Sequence, residues 1–228
     1  MAGSMTEVPV NGGTVPAYVS LPPAGTGPGV VVIQEWWGLV PHIRNVADRL
    51  AAQGFVAMAP DLYHGQETTE PDEAGKLLME MRLDEAAKDM AATVDALLAM
   101  PETTGDSVGV IGFCAGGGLA LYLASLKPEV TATVCYYGFP REGLQWDLSA
   151  VKGAVLGHFA EHDDWASREL ADGMERELRD AGVDVTFHHY PGTTHAFFND
   201  DRPEVHDREA AERSWGRTLS FLRDRLGG

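Results

Sequence analysis

The chain is poor in cysteine and in positive charge, and it has no long apolar run. It carries two cysteines, Cys114 and Cys135, in 228 residues. So few in a chain of this length exclude a disulfide framework, and the lack of a C-x-x-C pair disfavours a thiol redox centre. Lys and Arg together number 17 against 34 Asp and Glu, a formal charge of -17. A surface of that sign repels nucleic-acid backbones and anionic lipid, and no basic cluster reverses it locally. No stretch reaches the roughly 20 apolar residues that span a bilayer, and the N-terminus lacks the basic start and apolar core of a signal peptide. These absences predict a cytoplasmic protein with no nucleic-acid or membrane partner. Repeats and low-complexity tracts are also lacking, and the length suits a single domain over 1–228. The second methionine, Met5, reads residues 1–4 as a cloning remnant.

What is present is an alternation of strand and helix signals. Val15–Ser20 predicts an edge strand, where Pro16 is tolerated. Val30–Ile33, Phe55–Ala59, 107–112, Thr131–Tyr137, Gly153–Phe159 and Val183–Tyr190 predict further strands. Helices are predicted over about 40–53, much of 71–100 with a break in the middle, 115–126, 167–181 and 204–226. Such alternation predicts an α/β fold: a mostly parallel sheet with helices on both faces and no separate cap domain. Working residues then lie in loops at the carboxyl ends of strands. That rule selects Glu35–Trp37, Asp61–Gln66, Cys114, Tyr137–Pro140, Glu161–Trp165 and Thr193–His195.

Cys114 stands in Gly112-Phe113-Cys114-Ala115-Gly116-Gly117-Gly118, directly after the apolar run Ser107–Ile111. This is the G-x-nucleophile-x-G form of a strand-to-helix turn, with a thiol where serine is usual. The glycines are needed because the turn is strained and its flanking elements pack closely. A thiol there meets the unpaired N–H groups and positive dipole end of a helix, which favour thiolate. The Ala115 N–H becomes a natural oxyanion donor. A buried structural cysteine beside a flexible turn is the plainer alternative, and that description suits Cys135, inside the apolar strand 132–136. A phosphate-cradling loop is disfavoured because no Lys-Ser or Lys-Thr follows the glycines.

A thiol nucleophile needs a base, and the base needs a carboxylate to fix its tautomer. In this topology the partners follow in the order nucleophile, acid, histidine. Only His195 falls after the last strand and before the last helix; His158, His188 and His189 fall in strands and His206 in the final helix. His162 beside Asp163 is the second choice of base. The acid belongs in the loop after strand 153–159, where Asp163, Asp164 and, less well, Glu161 all qualify. His158 and His162 are four apart but straddle a strand end, so no metal site and no cofactor are expected.

Together these residues resemble the dienelactone hydrolase family of α/β-hydrolases. The resemblance covers nearly the whole chain. It rests on Gln34–Gly38, Ala59–Tyr63, Gly112–Gly117, His158–Asp163, Tyr190 and Gly192–Phe197. It implies an α/β-hydrolase fold with Cys114 as nucleophile, His195 as base and Asp163 as its orienter. Glu35 matches a family glutamate that contacts the resting thiol and shifts when substrate arrives. The resemblance makes the Trp36 N–H the second oxyanion donor beside Ala115. One departure stands out. The family holds a substrate carboxylate with arginines, one of them four residues past the histidine; here that place is Asn199, and 69–75 supplies no second one, with Arg202 left as a partial substitute. Aromatics in the predicted rim loops, among them Trp37, Tyr63, Tyr137 and Phe198, suggest a more apolar or aromatic substrate. The expectation is a cysteine-dependent hydrolase of a small ester or lactone, monomeric or homodimeric. The alternative, prompted by the altered clamp, is a non-hydrolytic member that binds or isomerises a small molecule.

Overall fold

The computed structural model describes residues 2–10, 12–140, 144 and 146–227; Met1 of the expected remnant lies outside them. Residues 3 and 4 belong to the fold: Ser4 opens a strand and the Gly3 N–H donates to Asp48 Oδ1 at 2.9 Å. The strands are β1 (Ser4–Val10), β2 (Gly13–Ser20), β3 (Gly27–Ile33), β4 (Val56–Pro60), β5 (Thr103–Phe113), β6 (Val130–Tyr136), β7 (Ala154–His162) and β8 (Val185–Thr194). The helices are α1 (Pro41–Ala52), α2 (Pro71–Glu80), α3 (Leu83–Ala99), α4 (Ala115–Leu126), α5 (Arg168–Asp180) and α6 (Arg208–Leu226). They build one eight-stranded sheet in the order β1-β2-β4-β3-β5-β6-β7-β8. The β1–β2 and β2–β4 pairs are antiparallel and all others parallel.

The register shows that both faces are covered. Gly29 and Val108 are partners and so point the same way, and a Cβ at Gly29 would touch Leu97 of α3. Val30 and Gly109, one step on, point the other way, and a Cβ at Gly109 would touch Leu222 and Leu226 of α6. This is why β3 is buried at every position and has no alternation: each of its side chains leaves water whichever face it takes. Burying a Val or Ile in this way contributes about 1.5–3 kcal/mol. α1 packs Ile43, Val46, Ala47 and Leu50 inward, the expected stripe, with Pro41 preset for its first turn.

The expected edge strand is displaced inward by β1, which pairs with β2 from Ser4↔Val19 to Val10↔Gly13. Pro16 survives there because its missing donor faces Asp61, whose carbonyl is already used by the His64 N–H at 3.2 Å. β7 runs to His162 rather than stopping at Phe159, because a register shift after Ala160 lets His162 pair with Thr194. His206 lies before α6, not in it: the Asp207 side chain accepts from Ala210 N and starts the helix at Arg208.

Candidate active site

Cys114 links β5 to α4 with φ 54 and ψ -120, a conformation strained for any side chain with a Cβ. The turn is held by the Cys114 N–H donating to Tyr136 O at 3.0 Å and by the Gly117 N–H donating to Cys114 O at 2.9 Å. Two glycines make the turn possible. A Cβ at Gly112 would stand 1.9 Å from Gly116 O, and one at Gly116 would stand 2.3 Å from Gln34 O. The thiol is half-buried, at the mouth of α4, whose first residue Ala115 keeps an N–H with no partner inside the helix. Trp36 follows β3 on the neighbouring strand, half-buried, with its ring 4.9 Å from that of Trp37.

The two loops that follow β7 and β8 bring Asp163 and His195 together. His195 Nδ1 lies 2.8 Å from Asp163 Oδ2, and Asp163 Oδ1 accepts from the N–H groups of Trp165 and Ala166, both at 2.8 Å. With its side chain fully buried, Asp163 cannot turn away to solvent. Burial opposes its charge, but the His195 partner and these donors outweigh burial and hold its carboxyl below the usual range. Burial likewise pulls His195 down, yet hydrogen bonds to Asp163 and Cys114, with the charges of both, raise the imidazole to about 10. Nδ1 is committed to Asp163, so Nε2 is the nitrogen left for Cys114. Asp164 and His162 are exposed, and His162 pairs with Glu161 at 3.6 Å. Asp163, not its neighbour, therefore orients the imidazole.

Glu35 is 1% exposed. Its Oε2 accepts from Asn199 Nδ2 at 2.7 Å, while Oε1 has no hydrogen-bond partner among the described residues. Tyr137 is fully buried, with its ring 5.1 Å from that of His195. Burial first, then the Glu35 and Cys114 charges, push its phenol well above the ordinary value. Glu35, Tyr137, Cys114 and His195 thus form one electrostatic cluster. Asn199 was not foreseen in this role: it stands 164 positions from Glu35, and only the fold joins them. It is spent on Glu35 and on the Asp201 N–H, which its Oδ1 accepts at 3.1 Å. Arg202 is paired with Glu204 at 2.8 Å and lies over the Trp37 ring at 5.3 Å. Both side chains are thus engaged with other groups of the protein.

The expected substrate-binding aromatics divide. Trp37 and Tyr63 are nearly buried at the ends of β3 and β4, and Tyr137 lines the cluster around His195. Phe198 is corrected: it is 1% exposed and turns into the core, stacked on Phe113 at 5.3 Å and covered by Trp215 and Arg49. Its aromatic ring gains more from that packing than from a wet rim. Sequence reading also missed His42, buried on α1, whose Nδ1 lies 2.9 Å from Asp200 Oδ1. Among the described residues no group of His, Cys, Asp and Glu is placed to hold a metal ion, and no helix is long and apolar enough to cross a membrane.

Residues 15–226 match the model of the dienelactone hydrolase family. The chain is 38% identical over 231 residues to protein usf of Aquifex pyrophilus, covering 98% of this chain and 99% of that one. It is 37% identical, with the same coverage, to a candidate carboxymethylenebutenolidase of Aquifex aeolicus. Among solved structures it matches a dienelactone hydrolase-like promiscuous phosphotriesterase from metagenomic libraries, with TM-score 0.87 and 26% identity over the whole of both chains. The chain belongs to the dienelactone hydrolase family and is an ester or lactone hydrolase with the α/β-hydrolase fold.

Proposed function

We propose that the hydrolysis runs through a thioester on Cys114. The observation that carries this reading is the strained thiol at the mouth of α4, beside an imidazole that Asp163 holds by its far nitrogen. The thiolate attacks the substrate carbonyl, and the Trp36 and Ala115 N–H groups receive the oxyanion. Collapse of the tetrahedral intermediate breaks the C–O bond, and the departing alkoxide takes a proton from His195 Nε2. Water then gives a proton back to His195 as it attacks the thioester, releasing the acid and restoring the thiolate. A lactone opens by the same steps and stays attached through its acyl end until water arrives.

Glu35 sets the charge around the resting thiol, and Asn199 fixes where that charge sits. The substrate is uncharged near the reacting carbonyl: Asn199 and Arg202 are both engaged elsewhere, and the chain's formal charge of -17 disfavours anions. Cys114→Ala tests the route. It should abolish turnover of activated aryl esters with the fold intact, and the wild type quenched during turnover should carry one acyl mass on Cys114. Retained turnover in the variant would refute the thioester route.

A further inference from the structure

Two cavities meet at a single side chain. The first opens against Ala115, the proposed oxyanion donor, and is walled by Leu78, Met81 and Phe139. Its room is about 10 Å³, close to the least that holds one water molecule. The second is a groove of about 220 Å³ between α2, α3 and the loop after β4. Its apolar floor is Leu62, Leu77 and Ala86, and its polar wall includes His64 and Asp89, paired at 3.0 Å. Among the described residues Met81 is the one that lines both cavities.

Met81 sits where α2 stops and α3 has not begun, with extended backbone (φ -60, ψ 121). α2 lies over the oxyanion side of the site, since a Cβ at Gly75 would come within 3.9 Å of the Trp36 ring. The far wall of the groove is fixed by Asp61, which accepts from the Tyr63 N–H at 3.1 Å and the Gly65 N–H at 2.6 Å. The near wall is therefore an unbranched thioether with three rotatable bonds, set at a helix break. That is the side chain best able to swing aside and repack around a bound alkyl group.

The geometry points to Met81 as a specificity-determining gate: it closes the short space beside Ala115 and, when displaced, admits the substrate's chain to the groove beyond. This rests on the hydrolytic reading above and names its substrate class. While Met81 stays in place, the space beside Ala115 takes nothing larger than a water-sized group. A longer chain passes over Met81 onto the apolar floor. The far end meets Glu80, Glu85 and Asp89, against one Arg82 already paired with Asp84 at 3.1 Å and Glu85 at 2.8 Å. A neutral tail is accepted there and a carboxylate is not. At about 220 Å³ the groove is smaller than a drug-sized site, so the tail is a short alkyl or hydroxyalkyl group.

The test is a chain-length series with wild type, Met81→Ala and Met81→Trp. p-Nitrophenyl esters from acetate to octanoate vary the acyl side, and alkyl acetates vary the alcohol side. The readout is the ratio of kcat/KM for the longest member to that for the shortest, which cancels any uniform loss from impaired folding. Each methylene brought onto apolar surface is worth several-fold in binding, so the ratio should rise at least about tenfold in Met81→Ala and fall at least about tenfold in Met81→Trp, in one of the two series. Ratios unchanged in both series and both variants would overturn the gate while leaving the thioester route standing. Failure of the wild type to turn over acetate esters at all would remove both.

Discussion

Two of the short histidine–carboxylate pairs in this molecule have nearly equal geometry and opposite surroundings. His195 and Asp163 meet at 2.8 Å, and His42 and Asp200 at 2.9 Å. In the first the carboxylate is fully buried and the imidazole is 22% exposed; in the second the imidazole is 1% exposed and the carboxylate 48%. The free nitrogen of His195 faces Cys114, while that of His42 is buried with no partner among the described residues, its ring among Phe113 and Phe198. A short His–Asp contact is thus no sign of a base by itself. A base needs its far nitrogen open to a reacting group and its carboxylate shut away from water, and of these two pairs only the first combines them. The second ties α1 to the turn after His195, the turn that also supplies Asn199 to Glu35.

The sharpest way to break this comparison is to remove the same charge from each pair. Asp163→Asn should lower kcat by about a thousandfold or more, because the imidazole loses its orienting partner and its correct tautomer. Asp200→Asn should lower it by less than about tenfold. Equal losses would mean that both pairs serve the chemistry. Stability should respond in the reverse order. His42→Ala opens a cavity beneath Phe113 and Phe198 and should cost about 2–4 kcal/mol in denaturant unfolding. His195→Ala, at a partly open mouth, should cost less than half of that.

A smaller effect separates the pairs by pH. His195 is raised from 6.5 to about 10, so its contribution to stability is complete below about 6.5 and is lost as pH rises through about 10. Asp200 is lowered to about 2, first through its hydrogen bond to His42, so its contribution is present above the ordinary carboxylate range and is lost as pH falls through about 2. Melting temperature followed from pH 7 to 10 should decline more steeply in the wild type than in His195→Gln. Followed from pH 4 to 2 it should decline more steeply in the wild type than in Asp200→Asn. Parallel curves at either end would remove the corresponding linkage.

The parts of the site that were legible in the sequence are local ones. A nucleophile between a β-branched run and a glycine-rich helix start is specified by residues 107–118 together, because the turn needs its glycines within two positions of the thiol. The position of His195 follows from its place between the last strand and the last helix. Less was legible in β1. Four of its seven residues are exposed and one is buried, so it lacks a buried stripe; its one clear signal was Asn11-Gly12, a hairpin dipeptide just before β2. The choice of Asp163 over Asp164 was not decided by the residues themselves, since both lie in one loop and only the bend after β7 turns one inward.

The sequence by itself determined the family, the fold class and the candidate centre: a thiol, an imidazole, and a sheet that delivers both to one edge. It could do so because strand period, turn chemistry and chain order act over short separations or through topology. The tertiary structure alone decided what surrounds that centre. Asn199 became the anchor of Glu35 rather than a clamp for substrate, Phe198 left the rim for the core, and Met81 came to stand between two cavities. Each of these depends on which distant side chains share a space once the sheet has closed, a property of packing in three dimensions that no local pattern encodes.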